Sequence, residues 1–315
     1  AEVYLNRGSA LRSLGGTAAA ISAIADYTEA ISLHETLRRK LGTQFPPDMA
    51  LSLAAVYLNR GLALSGLGDT AAALADYEQA ISIVETLRRQ FGTQFPPAMA
   101  DSLARAYASR GNALHGLGDS AAALADFEQA ISVFEALRRQ LGTLFPPDMA
   151  NSLATVYMNR GSLRGLGDTA AALADYAQAI SLRETLRRQL GAQFPPAMAD
   201  NLAKVYMNRG NALSVQGDTA AALSDYTQAI SLCETLRWQL GAQFPPAMAN
   251  NLATAYKNRA EILHDLLGDT DATLNDLRQA VGLWNELESR LGENMPPAWR
   301  ERRLAVEAAI KQLGG

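Results

Sequence analysis

The chain has 315 residues, 48% of them hydrophobic and 19% charged, with a formal net charge of -4 and a single cysteine, Cys233. That composition belongs to an ordered protein; the absence of a basic excess argues against nucleic acid as the main partner; and one cysteine excludes an internal disulfide and favours a reducing compartment, the cytoplasm. The longest apolar runs are Ala-rich and far short of the ~18 residues of a membrane span, and no basic segment followed by an apolar one marks a leader.

In chain order, the first unit, about 1–45, begins inside a helix and carries three extra residues around Ile21-Ser22-Ala23, nearly one helical turn. It closes on TQFPPDMA at 43–50, and versions of that octet return at 93–100, 143–150, 192–199, 242–249 and, worn, at 293–300. The prolines Pro46, Pro96, Pro146, Pro195, Pro245 and Pro296 lie 50, 50, 49, 50 and 51 residues apart. In the second unit, 46–95, Pro47 suits the first turn of a helix, and DMALSLAAVYLNRGLALSGL reads as that helix. Gly68 breaks it, Asp69 supplies an N-cap, and TAAALADYEQAISIVETLRRQF reads as a second helix ended by Gly92. Phe95-Pro96 then forces an exit from helix before the next unit, with the Phe expected to plug the seam between helix pairs. The third unit, 96–145, repeats this. The fourth, 146–194, has lost one residue near Ser162-Leu163-Arg164, so its first helix is expected to end irregularly. The fifth, 195–244, is regular. The sixth, 245–295, has drifted, with Ala260 for the glycine and Leu277 for the aromatic. The remainder, 296–313, reads as a capping helix with an apolar stripe of Trp299, Val306, Ile310 and Leu313, and with Arg300, Glu301, Glu307 and Lys311 towards water.

No strand pattern appears. A pair of helices that cannot bury its apolar face alone must stack on copies of itself. The expected fold is therefore all-α, an α-solenoid of six stacked antiparallel helix pairs with a C-terminal capping helix, in one repeat domain over 1–315 that is open to being part of a longer chain.

Tyr57, Gly61, Leu64, Leu67, Gly68, Ala73, Tyr77 and Ala80, repeated unit by unit, resemble the tetratricopeptide repeat. The resemblance implies a right-handed superhelix whose first helices line a concave ligand groove. Two departures stand out. The unit is about 50 residues rather than 34, and the family's proline after the second helix is replaced by Glu35, Glu85, Glu135, Glu184, Glu234 and Glu286. Both lengthen the helices, to roughly 30–36 Å.

Catalysis finds little support. His34, His115 and His264 are scattered, the glycines of GNALHGLGD do not follow a strand, and no metal-ligand spacing or cofactor motif is present. The Arg-Arg pairs at 38–39, 88–89, 138–139 and 187–188 sit in last turns, three and four residues after a Glu, where helix dipole and ion pairing explain them. Arg7, Arg60, Arg110, Arg160, Arg209 and Arg259 recur with Asp26, Asp76, Asp126, Asp175, Asp225 and Asp276, and read as a ladder of structural ion pairs. Loss of the Asp is expected to cost more than loss of the Arg. The tyrosines fall on two repeat positions and read as packing.

The units differ from one another chiefly at four first-helix positions spaced three, four and three, one helical stripe. Arg12, Leu58, Leu62, Arg105, Asn112, His115, Met158, Lys204, Met207, Asn211, Lys257 and His264 fall on it and are the candidate partner-binding residues. Its basic members outnumber the acidic Glu2 and Glu261, so an acidic protein or peptide is the expected partner. A second variable position, His34, Val84, Phe134, Arg183, Cys233 and Trp284, reads as another contact edge or as plain exposed surface. The function these features point to is a non-enzymatic scaffold that holds a peptide or helical segment of a partner protein. The alternatives are self-assembly into a homo-oligomer by end-to-end stacking, and the sensor region of a larger enzyme.

Overall fold

The computed structural model describes residues 1–314, Leu266 and Leu267 through their backbone only. Every regular element among them is helical: α1 (Glu2–Leu14), α2 (Thr17–Leu41), α3 (Pro47–Gly66), α4 (Thr70–Phe91), α5 (Pro97–Gly116), α6 (Ser120–Leu141), α7 (Pro147–Arg164), α8 (Thr169–Leu190), α9 (Pro196–Gln216), α10 (Thr219–Leu240), α11 (Pro246–Ile262), α12 (Thr270–Leu291) and α13 (Pro297–Gln312). The chain forms two compact units, Ala1–Leu163 and Arg164–Gly315. In the first, α1/α2, α3/α4 and α5/α6 are packed pairs; in the second, α9/α10 and α11/α12 are, and α13 packs on α12. The fold is an α-solenoid of stacked helix pairs with a capping helix.

Local chemistry sets the boundaries. The second proline of FPP opens each following helix, where its missing N–H costs nothing. Asp69, Asp119, Asp168, Asp218 and Asp269 each accept a hydrogen bond from the backbone N–H three residues on and cap a second helix. Gly92 and its counterparts take φ near +52°, a region closed to most side chains, and turn the chain into one 3₁₀ turn before the next Phe. Phe45, Phe95, Phe145 and Phe194 are half-buried in the seam and Phe244 is buried.

The irregular units absorb their changes locally. The three extra residues of the first unit lengthen α2 to 25 residues against 22 in α4 and leave the register of Ala23, Asp26 and Tyr27 intact. The lost residue of the fourth shortens α7 to 18 residues against 20 in α5, and Arg164 turns to Asp175 at 3.2 Å. The sixth unit has one residue more than the fifth before its Gly-Asp, and the excess is taken up as a π-helical turn, Leu263–Leu267.

Within a pair, contact is closest where glycine meets an aromatic ring. A Cβ on Gly61 would stand 2.6 Å from the Tyr77 ring, and one on Gly111 2.8 Å from Phe127. Beside this contact Arg60 grips Asp76 with two hydrogen bonds of 2.7 Å and lies 5.8 Å over the Tyr57 ring. The same double bond joins Arg7–Asp26, Arg110–Asp126, Arg209–Asp225 and Arg259–Asp276. The ladder is structural, as its sequence pattern indicated.

The glutamates that replace the family's proline tie successive units together. Tyr57, Tyr107, Tyr157, Tyr206 and Tyr256 donate their hydroxyls to Glu35, Glu85, Glu135, Glu184 and Glu234 of the preceding unit, at 3.1–3.4 Å. Glu286 does not belong to this series. Asn285 holds the position in the sixth unit and accepts from Arg303 of the capping helix at 2.9 Å, while Glu286 pairs with Arg237. On α13, Val306 is buried and Trp299, Ile310 and Leu313 are half-buried. Arg300, expected in water, is half-buried and donates to the Gly292 carbonyl.

Candidate functional site

The first-helix stripe separates into three groups. Arg12, Arg105, Asn112, His115, Asn211 and His264 are exposed. Leu62, Met158, Lys204 and Lys257 are half-buried. Leu58 and Met207 are buried, 6% and 8% exposed, and belong to the packing rather than to an open face. A strict helical spacing places all of them on one stripe, but the neighbouring first helix covers part of it. Within each compact unit neighbouring first helices touch, and asparagines join them: Asn159 donates to Asn112 at 2.8 Å, and Asn258 to Asn211 at 3.0 Å.

The electrostatics of the stripe are more balanced than its own residues indicate. Lys204 pairs with Asp200 at 2.6 Å, Lys257 with Glu261 at 2.6 Å, and Arg105 with Asp101 at 3.8 Å, each one helical turn away. Burial pushes the Asp101 carboxyl up, with Arg105 opposing the shift. Asp101 and Asp200 were missed as members of this surface. Their signal was a carboxylate four residues before a basic residue, legible at that spacing.

The second variable position is neither an edge nor exposed. His34 is 5% exposed, Val84 1%, and Phe134, Arg183, Cys233 and Trp284 are fully buried. Its variety is accommodated inside the stack: Trp284 donates its indole N–H to Asn250 at 3.1 Å, and Arg183 points to the Asn201 carbonyl at 3.4 Å. Burial pushes the Cys233 thiol up to about 12 and the Arg183 guanidinium down to about 10, which leaves the thiol inert at neutral pH. Among the described residues no helix is long and apolar enough to cross a membrane.

A tetratricopeptide-repeat model matches residues 54–84, 104–136 and 203–235. Among solved structures, BtubC (BKLC) from P. vanneervenii superposes with a TM-score of 0.61 at 18% identity, over 84% of this chain and 91% of its own. The nuclear import adaptor Nro1 of S. pombe does so with a TM-score of 0.56 at 17% identity, over 91% and 90%. The apo form of RapI gives 0.55 at 13% identity, over 99% and 98%. Identities this low speak for the fold alone. Among curated proteins none matches the chain. The matched segments fall in the second, third and fifth units, and the Gly–aromatic and Arg–Asp pairs that organise them recur beyond those segments: the chain is a tetratricopeptide-repeat protein, with its unit lengthened to about 50 residues.

Proposed function

We propose that the chain is a non-enzymatic scaffold whose first-helix stripe holds a peptide or helical segment of a partner protein. One observation carries this reading. The frame residues of successive units are nearly frozen, yet exposed side chains on the first helices and the turn that follows the last of them change from unit to unit, from Asn112 and His115 to Asn211 to Glu261 and His264. A repeated frame that presents a changing row of side chains suits recognition of one extended ligand. Nro1, an adaptor by its printed description, shares the fold.

An acidic group on the ligand would meet Arg12 and Arg105 first. Arg105 is loosely paired and half in water, whereas Lys204 and Lys257 are each held at 2.6 Å by a carboxylate of their own helix. Substituting Lys204 would also strand Asp200, which is 5% exposed. Arg12→Ser with Arg105→Ser is therefore the clean variant. It should weaken an acidic ligand several-fold at low salt and less at high salt, with the melting curve unchanged. A photo-crosslinking residue at Asn112 should capture the partner, while one at Glu78, exposed on the second helix, should not. Capture from Glu78 alone would place the binding face on the second helices.

A further inference from the structure

In the first, second, third and fifth units a ring fills the space over the first-helix glycine, and in the first and fifth the residue after that glycine accepts a hydrogen bond from the ring's hydroxyl. Tyr226 donates to Asn211 at 2.7 Å, and Tyr27 to Ser9 at 3.3 Å. In the sixth unit both partners of the ring contact have changed. Ala260 stands for the glycine, Leu277 for the aromatic, and the residue that follows is Glu261. Leucine is shorter than tyrosine by most of a ring, and the capping helix presents small side chains to the gap. A cavity of about 190 Å³ remains between α11, α12 and α13, lined by Ala260, Glu261, Leu277, Ala305, Val306 and Leu313.

We propose that this cavity receives the side chain of a tyrosine from the partner peptide, with its hydroxyl donated to Glu261. This deepens the reading of the stripe as the binding face and rests on it, since Lys257, Glu261 and His264 belong to both. Size, lining and charge agree. An apolar cavity of about 150 Å³ is enough to take up a benzene ring. The floor is hydrocarbon from Leu277, Val306 and Leu313. Around the opening the carboxylates of Glu261 and Asp265 face a single ammonium, Lys257, so the mouth favours a hydrogen-bond donor and rejects an anionic ring such as a phosphotyrosine. The missing group is the one the other units supply from their own second helix, so the site is the negative of a side chain the fold already knows how to hold.

The test needs no partner. p-Cresol and toluene are titrated into the full chain, followed by the methyl signals of Leu277, Val306 and Leu313. p-Cresol is expected to shift them saturably and to bind about tenfold more tightly than toluene, the worth of one hydrogen bond to a charged acceptor. Glu261→Ala should make the two ligands equal. Ala260→Gly with Leu277→Tyr rebuilds the ring and should abolish binding. If that pair folds poorly, Ala309→Leu on the capping helix closes the same space. The proposal is overturned if these methyls show no saturable shift, if toluene binds as tightly as p-cresol to the wild type, or if a filled variant binds cresol unchanged. Crosslinking from Asn112 reports on the stripe independently, so a silent cavity with a positive crosslink removes the tyrosine site alone.

Discussion

In the second and sixth units one arginine connects three neighbours. Arg60 holds Asp76 bidentately, covers Tyr57, and reaches Thr28 of the preceding second helix at 3.1 Å. The pair is unequal in a way its sequence pattern does not show. The Arg110 side chain is 24% exposed and that of Asp126 6%. Loss of the arginine strands a buried carboxylate, whereas loss of the aspartate leaves a guanidinium that can turn to water. The order expected from the sequence is therefore reversed. Arg110→Met should cost roughly 3 kcal/mol and Asp126→Asn about 1–2 kcal/mol in a denaturant melt. Equal, negligible losses would make the ladder a solvated feature. His34 offers a second test. Burial lowers its pKa from 6.5, opposed by Glu2 and Glu35, and among the described residues its Nε2 has no hydrogen-bond partner. The neutral form is the one the fold prefers, so its contribution is fully present above pH 6.5 and is lost as pH falls through the lowered folded pKa. His34→Leu should flatten the fall of the melting temperature over that window, and an identical slope in the variant would show that the imidazole charges without cost.

At the scale of elements, helix ends were the most legible feature, because each is fixed by residues adjacent in sequence: Pro47 at a start, Gly68-Asp69 at a turn, Gly92 at a stop. Contacts between units were less legible, although Tyr107 and Glu85 both recur and lie a constant 22 residues apart. The buried column from His34 to Trp284 was misread because variation among copies was taken as a sign of exposure. Inside a stack a position also varies freely when its neighbour varies with it, as Trp284 does with Asn250. The Gly–aromatic contact makes this coupling testable. Gly61→Ala places a methyl against the Tyr77 ring and should destabilise by about 1–3 kcal/mol. Adding Tyr77→Leu, which reproduces the sixth unit's pair, should recover part of that loss, and a strictly additive double variant would show that the two changes in the sixth unit are unrelated. The joint between units has its own cycle. Glu85→Gln and Tyr107→Phe should each cost about 1–2 kcal/mol and couple when combined, because the hydroxyl donates to an ionised acceptor.

For the whole molecule, stability in a stacked array is close to a sum of units and the joints between them, so a chemical change repeated at every joint acts on all of them together. The tyrosines are that repeated group. Burial, and for Tyr157, Tyr206 and Tyr256 the glutamates that accept their hydroxyls, push these phenols up to about 12. Burial does the same for Tyr77 and Tyr226 within their pairs. A group whose folded pKa is raised contributes stability that is fully present below its unfolded pKa of 10 and is lost as pH rises through the folded value. Five such groups, with members in both compact units, concentrate their loss in the window from pH 10 to 12. Helix content should therefore hold to about pH 10 and then collapse over a narrow range, and the tyrosinate absorbance contributed by these five phenols should rise with that collapse rather than before it. Tyr157→Phe with Tyr206→Phe removes two of the five ionisations along with their hydrogen bonds. That variant should be less stable at neutral pH and shallower in its alkaline transition. Smooth ionisation of all ten tyrosines near pH 10 with the helices intact would mean that the phenols at the joints are open to solvent, and the Tyr–Glu bonds between units would fall with that result.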